Sequence, residues 1–158
     1  MSTPLQFTAD LTRYQAMIPE KANLLVQGFN QTLYNEVQAG GKYSAGTPIV
    51  TGFAQASWDA GVGSRPNNQA AKTPEAAAAR ASSSLLEAKA GDTVYLSNNA
   101  PYVRRLEFGF QGPDKLGRVY NQQGVGWIRM ALAAVQQIAD EVGAFIVAKY
   151  GGVGGRPG

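Results

Sequence analysis

Any acid–base chemistry in this chain has to come from carboxylates, lysines and hydroxyls, because its 158 residues include no cysteine and no histidine. That absence removes disulfides, Cys or His zinc sites, thiol nucleophiles and every Ser-His or Cys-His arrangement. Asp92, Glu107, Asp114, Asp140 and Glu141 are the acids that could form a pair or hold a metal, yet no two of them stand at a ligand spacing. Scattered acids of this kind read as surface groups, so the sequence points to no catalytic residue, no metal and no cofactor. The glycine run at 151–155 lacks the preceding strand and following helix that a phosphate-binding loop requires. Glu107 stands apart, between Leu106 and Phe108. It reads either as an exposed acid on a short helix or as a buried carboxylate in need of a donor, with Arg104, Arg105 and backbone N–H groups as candidates. A donor on another subunit would make it an assembly residue.

The stretch at 92–110 positions Glu107. Thr93 to Leu96 has the period of two of a half-buried strand, with Val94 and Leu96 on one face. Ser97-Asn98-Asn99-Ala100-Pro101 ends that strand in a turn. Tyr102, Leu106 and Phe110 then recur every four residues, which predicts a short helical turn with an apolar stripe on the core. Upstream, Pro19 and Glu20 open a helix whose apolar face runs through Leu25, Phe29, Leu33 and Val37, until Gly40-Gly41 stops it. Gly28 within it suits a close approach by a neighbouring element. Residues 53–62, centred on Trp58, read as a strand or as a helical turn followed by a strand. Thr73-Pro74-Glu75 starts an alanine-rich helix that Gly91 can terminate. Residues 111–123 read as an irregular excursion. A long helix follows from Ile128 to Ile146, with Phe145 on its apolar face and Gln136, Gln137, Asp140 and Glu141 opposite.

The length favours one domain spanning 1–158, with an extended arm at 1–8 and a flexible Gly-rich tail at 151–158. Residues 10–17 could form a first helical turn or two. Helix, strands, helix, strands and long helix predict an α+β fold, a small, mostly antiparallel sheet covered by helices, with long N-terminal and C-terminal helices. No secretory signal or membrane-spanning run is visible, so a soluble protein made inside the cell is expected. The net charge of +3 reads as a mild bias spread along the chain, locally basic only at Arg104-Arg105 and residues 115–118.

Asn98-Asn99-Ala100-Pro101-Tyr102 followed by Leu106-Glu107-Phe108-Gly109 resembles the N-x-x-P-Y…L-E-aromatic-G signature of the tail-completion family of long-tailed double-stranded DNA bacteriophages. These are small neck proteins at the junction of head and tail. Residues 47–58, from Thr47-Pro48-Ile49 to Ala56-Ser57-Trp58, are similar to that family's S-P-V-D-T-G-x-L-x-x-S-W segment, with Val50 in place of Asp and Ala54 in place of Leu. The resemblance covers about residues 24–147. It implies a structural virion protein of the neck, made in the host cytoplasm, that completes the tail for joining to a DNA-filled head. It implies a homo-oligomeric ring of six copies that meets other neck proteins, the tail terminator and the tail tube, and it allows contact with passing DNA. No enzyme activity and no membrane partner are expected. Asn99, Pro101, Tyr102, Arg104, Arg105, Glu107, Phe108, Gly109, Pro113 and Lys115 are the expected assembly residues. A tail terminator or head-closure protein of the same neck is the alternative reading, and a nucleic-acid-binding module, motivated by Arg104-Arg105 and the positive charge, is the alternative from another class.

Overall fold

The computed structural model describes residues 5, 7–10, 17–49, 51–66 and 69–151. The fold is α+β, with long helices toward each end and antiparallel strands between them. Most of the expected arm at 1–8, the helical turn expected at 10–17 and the tail at 151–158 lie outside the described residues. Within the arm, the Phe7 ring lies 6.0 Å from that of Phe29.

Helix α1 (Pro19–Gln38) begins with proline at its first position, where the missing N–H is no loss. Leu25, Leu33 and Val37 are buried along it as their spacing predicts, together with Tyr34. Two indoles secure its C-terminal end. Trp127 Nε1 donates to the Val37 carbonyl at 2.9 Å, and Trp58 Nε1 donates to Thr47 Oγ1 at 2.7 Å. Thr47 Oγ1 in turn donates to that same carbonyl at 2.7 Å. Both buried tryptophans thus find the polar partner that an indole N–H needs in a core. Helix α2 (Phe53–Ala56) leads directly into strand β1 (Trp58–Val62), the helical turn followed by a strand.

Strand β1 pairs antiparallel with β2 (Val94–Asn98), from Trp58 opposite Asn98 to Val62 opposite Val94. Helix α3 (Pro74–Leu85) packs on β1 through Ala77, Ala81 and Leu85, small side chains that let helix and strand approach closely. Thr73 caps it by accepting from the Ala76 amide at 3.0 Å. The helix ends at Leu85, six residues before Gly91, because turns at Glu87 and Ala88 take up its last carbonyls. Behind it Arg80 lies 3.3 Å from the Asp59 carboxylate.

Helix α4 (Val103–Phe108) follows the turn after β2. Residues 111–123 are a β-hairpin rather than an irregular excursion: β3 (Gly109–Pro113) pairs antiparallel with β4 (Val119–Gln123), Phe110 opposite Gln122. Among the described residues the strands therefore form two separate ribbons. The expected Tyr102–Leu106–Phe110 stripe does not form, since Tyr102 is exposed and Phe110 belongs to β3; Val103 and Leu106 meet the core instead.

The C-terminal helix is also two pieces, α5 (Trp127–Ala133) and α6 (Val135–Tyr150), bent by 54°. The bend lets α5 stay on the Trp127 anchor while α6 runs along α1. A consequence is that Gly143 is buried and Phe145, expected inside, is 60 % exposed. Where α6 crosses α1, a Cβ on Gly28 would stand 2.8 Å from Val142 Cγ1, so the close approach expected of Gly28 is real. No single described helix is long and apolar enough to cross a membrane.

Candidate assembly surface

The described site is built around α4, the hairpin and the start of α5. Helix α5 begins at Gly126 and Trp127 with no Ser, Thr, Asp or Asn to cap its free amides. Glu107 supplies the missing cap from another element. Its carboxylate accepts from the amides of Ile128 at 3.0 Å and Arg129 at 2.9 Å, and from Arg129 Nε at 3.0 Å. The side chain is 1 % exposed. Burial of a charge is tolerable here because it meets a cation and the positive end of a helix at once.

The exchange is reciprocal. The Glu107 carbonyl accepts from Arg129 Nη2 at 2.8 Å and from the Gly126 amide at 3.1 Å, and the Leu106 carbonyl accepts from the Val125 amide at 2.8 Å. The end of α4 and the start of α5 therefore satisfy each other's orphan groups and close the base of the hairpin. Gly109, with φ of +84°, completes the closure, since a Cβ there would stand 2.7 Å from the Gln122 oxygen and the Gly124 nitrogen.

Beyond this clamp the hairpin packs mainly against α4. Phe110 and Tyr120 meet edge to face at 5.7 Å, and the Arg105 guanidinium lies 3.9 Å from the Phe110 ring centre. The turn is held by Asp114, which accepts from the amides of Leu116 and Arg118 at 2.9 Å and from Arg118 Nε at 2.6 Å. Partial enclosure in the turn raises the Asp114 pKa, but the hydrogen bonds from Arg118 and Leu116 outweigh it and hold the carboxyl below its usual range. Leu116 and Val119 at the tip are 77 % and 79 % exposed.

Of the expected assembly residues, Asn99, Pro101, Tyr102, Arg104, Arg105, Phe108, Pro113 and Lys115 are at the surface. Glu107 and Gly109 instead act inside the chain. The donor to Glu107 is neither Arg104 nor Arg105: these stack toward Phe108 at 5.2 Å and Phe110 at 3.9 Å, and Arg129, absent from the expected set, takes the role. The signal for it lay in the uncapped Gly-Trp start of α5, which calls for an anion from elsewhere. The two locally basic points, Arg104-Arg105 and residues 115–118, fall in one stretch of the chain. Residues 99–133 hold five basic and two acidic side chains, so the entire surplus of +3 lies on this stretch.

The two segments singled out by their patterns, 47–58 and 98–109, are neighbours in space. Trp58 pairs with Asn98 across the β1–β2 ribbon, Asn98 Nδ2 donates to the Ala54 carbonyl at 2.7 Å, and the rings of Phe53 and Tyr102 lie 6.3 Å apart. Asn98 Oδ1 also accepts from the Ala100 amide at 2.9 Å, which sets the turn into α4. Ala54 is itself buried, while Val50 lies outside the described residues. A largely apolar cleft of about 410 Å³ runs between α1, β2 and α5, lined also by Phe7, Arg65 and Pro66. Among the described residues no three acidic side chains cluster as a metal-binding group. Comparison with protein-family models, with curated proteins and with solved structures found no match to this chain.

Proposed function

We propose that this chain is a structural subunit of the neck of a long-tailed bacteriophage, a tail-completion protein that works by assembling into a ring. The observation that carries the reading is the β3–β4 hairpin. It is clamped at its base through Glu107 and Arg129, among the described residues its strands pair only with each other, and its tip bears exposed Leu116 and Val119. A two-stranded ribbon is marginal by itself in water, and free strand edges with apolar side chains favour pairing with another chain. A hairpin clamped at its base with an exposed apolar tip suits a head-to-tail contact with the next copy, the contact from which closed rings are made. The spatial union of the two segments that resemble the tail-completion family adds support, because residues far apart in sequence build one region. Six copies would match the symmetry of a tail, and the virion neck would be the protein's destination after assembly in the host cytoplasm.

Replacing residues 112–117 by a two-residue turn tests the role of the hairpin. The expected result is a folded protein that no longer assembles and no longer supports joining of heads and tails. Assembly and infectivity equal to the parent would remove the hairpin from the mechanism. Binding to purified tail-tube protein, set against binding to the head connector, separates tail completion from the terminator and head-closure alternatives.

A further inference from the structure

We infer that the outer face of α4 and the hairpin is a binding surface for the phosphodiester backbone of nucleic acid, a second role that rests on the charge map and not on ring formation. Outside residues 99–133 the chain carries nine basic and nine acidic residues and is balanced. Inside that stretch both carboxylates are already engaged, Glu107 with Arg129 and Asp114 with Arg118. Arg104, Arg105 and Lys115 form no ion pair with any described carboxylate, and all are exposed. The two arginines lie against aromatic rings, Arg104 at 5.2 Å from Phe108 and Arg105 at 3.9 Å from Phe110.

A guanidinium held against a ring keeps its in-plane N–H donors free at the edge, the geometry that suits a phosphate oxygen pair. Cations interleaved with rings mark surfaces that hold nucleic acid, and the Phe108 ring, 44 % exposed, carries both Arg104 at 5.2 Å and Arg129 at 4.8 Å. Within residues 99–133 neither carboxylate is left unpaired to repel a polyanion. Three available cations define the salt response. Each neutralised phosphate contributes about −0.9 to the slope of log K against log salt on a duplex, so the expected slope is about −2.7 per protomer, and about −2.1 on a single strand. Raising salt fourfold then weakens duplex binding by roughly 40-fold.

Fluorescence anisotropy with a labelled duplex and a labelled single strand of random sequence, across a salt series, tests this directly. Binding with the stated slope is expected for the full chain, and it is expected to disappear in Arg104→Ala/Arg105→Ala. Lys115→Ala sits on an exposed turn that the fold does not depend on, and it is expected to flatten the duplex slope by about 0.9 while leaving the unfolding curve unchanged. Lys72→Ala/Lys89→Ala removes equal charge elsewhere and is expected to leave binding almost intact. The inference fails if neither nucleic acid binds at low salt or if the Lys72 and Lys89 changes weaken binding as much as the arginine changes. It also fails if polyglutamate competes as well as DNA, which would assign the face to an acidic protein.

Discussion

Glu107→Ala is the perturbation with the clearest expected magnitude. The carboxylate accepts three hydrogen bonds, from the Ile128 and Arg129 amides and from Arg129 Nε, and is 1 % exposed. Each hydrogen bond to a charged group is worth about 1.5–3 kcal/mol at most, and breaking a buried pair by deleting one partner costs about 3–5 kcal/mol. The Arg129 side chain is 52 % exposed, so its released guanidinium regains water and the loss falls at the low end, about 3 kcal/mol. Glu107→Gln keeps the shape and one acceptor oxygen but turns an N–H group toward donors, and should cost about 2 kcal/mol. Arg129→Ala loses the Nε bond to the buried carboxylate and the Nη2 bond to the Glu107 carbonyl but leaves both helix amides in place, and should cost about 2 kcal/mol. Urea denaturation followed by circular dichroism reads the three values. Amide exchange at Ile128 and Arg129 should accelerate in Glu107→Ala before exchange in α1 does. A Glu107→Ala loss under about 0.5 kcal/mol, or an Arg129→Ala loss larger than that of Glu107→Ala, would refute the view that this carboxylate caps α5 and closes the hairpin.

Other perturbations probe the frame that carries the clamp. Gly28→Ala should destabilise by about 1 kcal/mol, because overpacking against Val142 Cγ1 exceeds the gain in helix propensity, and Val142→Ala in the same chain should restore most of the loss in a double-mutant cycle. Thr73→Ala should cost about 1 kcal/mol by thermal or urea unfolding through loss of the α3 cap. The Tyr34 hydroxyl is raised well above its ordinary pKa, by burial first and then by the Asp59 charge, partly offset by Arg80. The folded state therefore holds the proton more tightly than the unfolded state. Stability from this group is complete below the ordinary tyrosine pKa of 10.0 and is lost as pH climbs beyond it. Urea unfolding on either side of that pH should show a steeper alkaline decline in the parent than in Tyr34→Phe; equal declines would contradict the assignment.

The parts legible in the sequence are those fixed by local rules. Pro19 and Thr73-Pro74 marked helix starts, and Val94 and Leu96 marked a strand, because capping and periodicity act over a few residues. The hairpin was hidden by Gly112 and Pro113, which break the alternation that Phe110, Tyr120 and Gln122 otherwise show across the ribbon. The bend at Ala134 carries no proline or glycine, and it arises from two packing demands, Trp127 at the end of α1 and Val142 against Gly28. Glu107 was visible as an acid between apolar neighbours. Its donor was not, because Arg129 lies 22 residues away and only the fold brings it close.

The most direct test of the proposed assembly is the mass of the purified protein, by native mass spectrometry over a range of concentrations, for the parent and for the variant shortened at residues 112–117, each alone and mixed with tail-tube protein. A closed ring of one fixed copy number in the parent, with a monomer in the folded variant, is the expected result. A parent that stays monomeric both alone and with tail-tube protein, or a shortened variant that forms the same ring, would contradict the proposal that the hairpin joins copies of this chain into a neck ring.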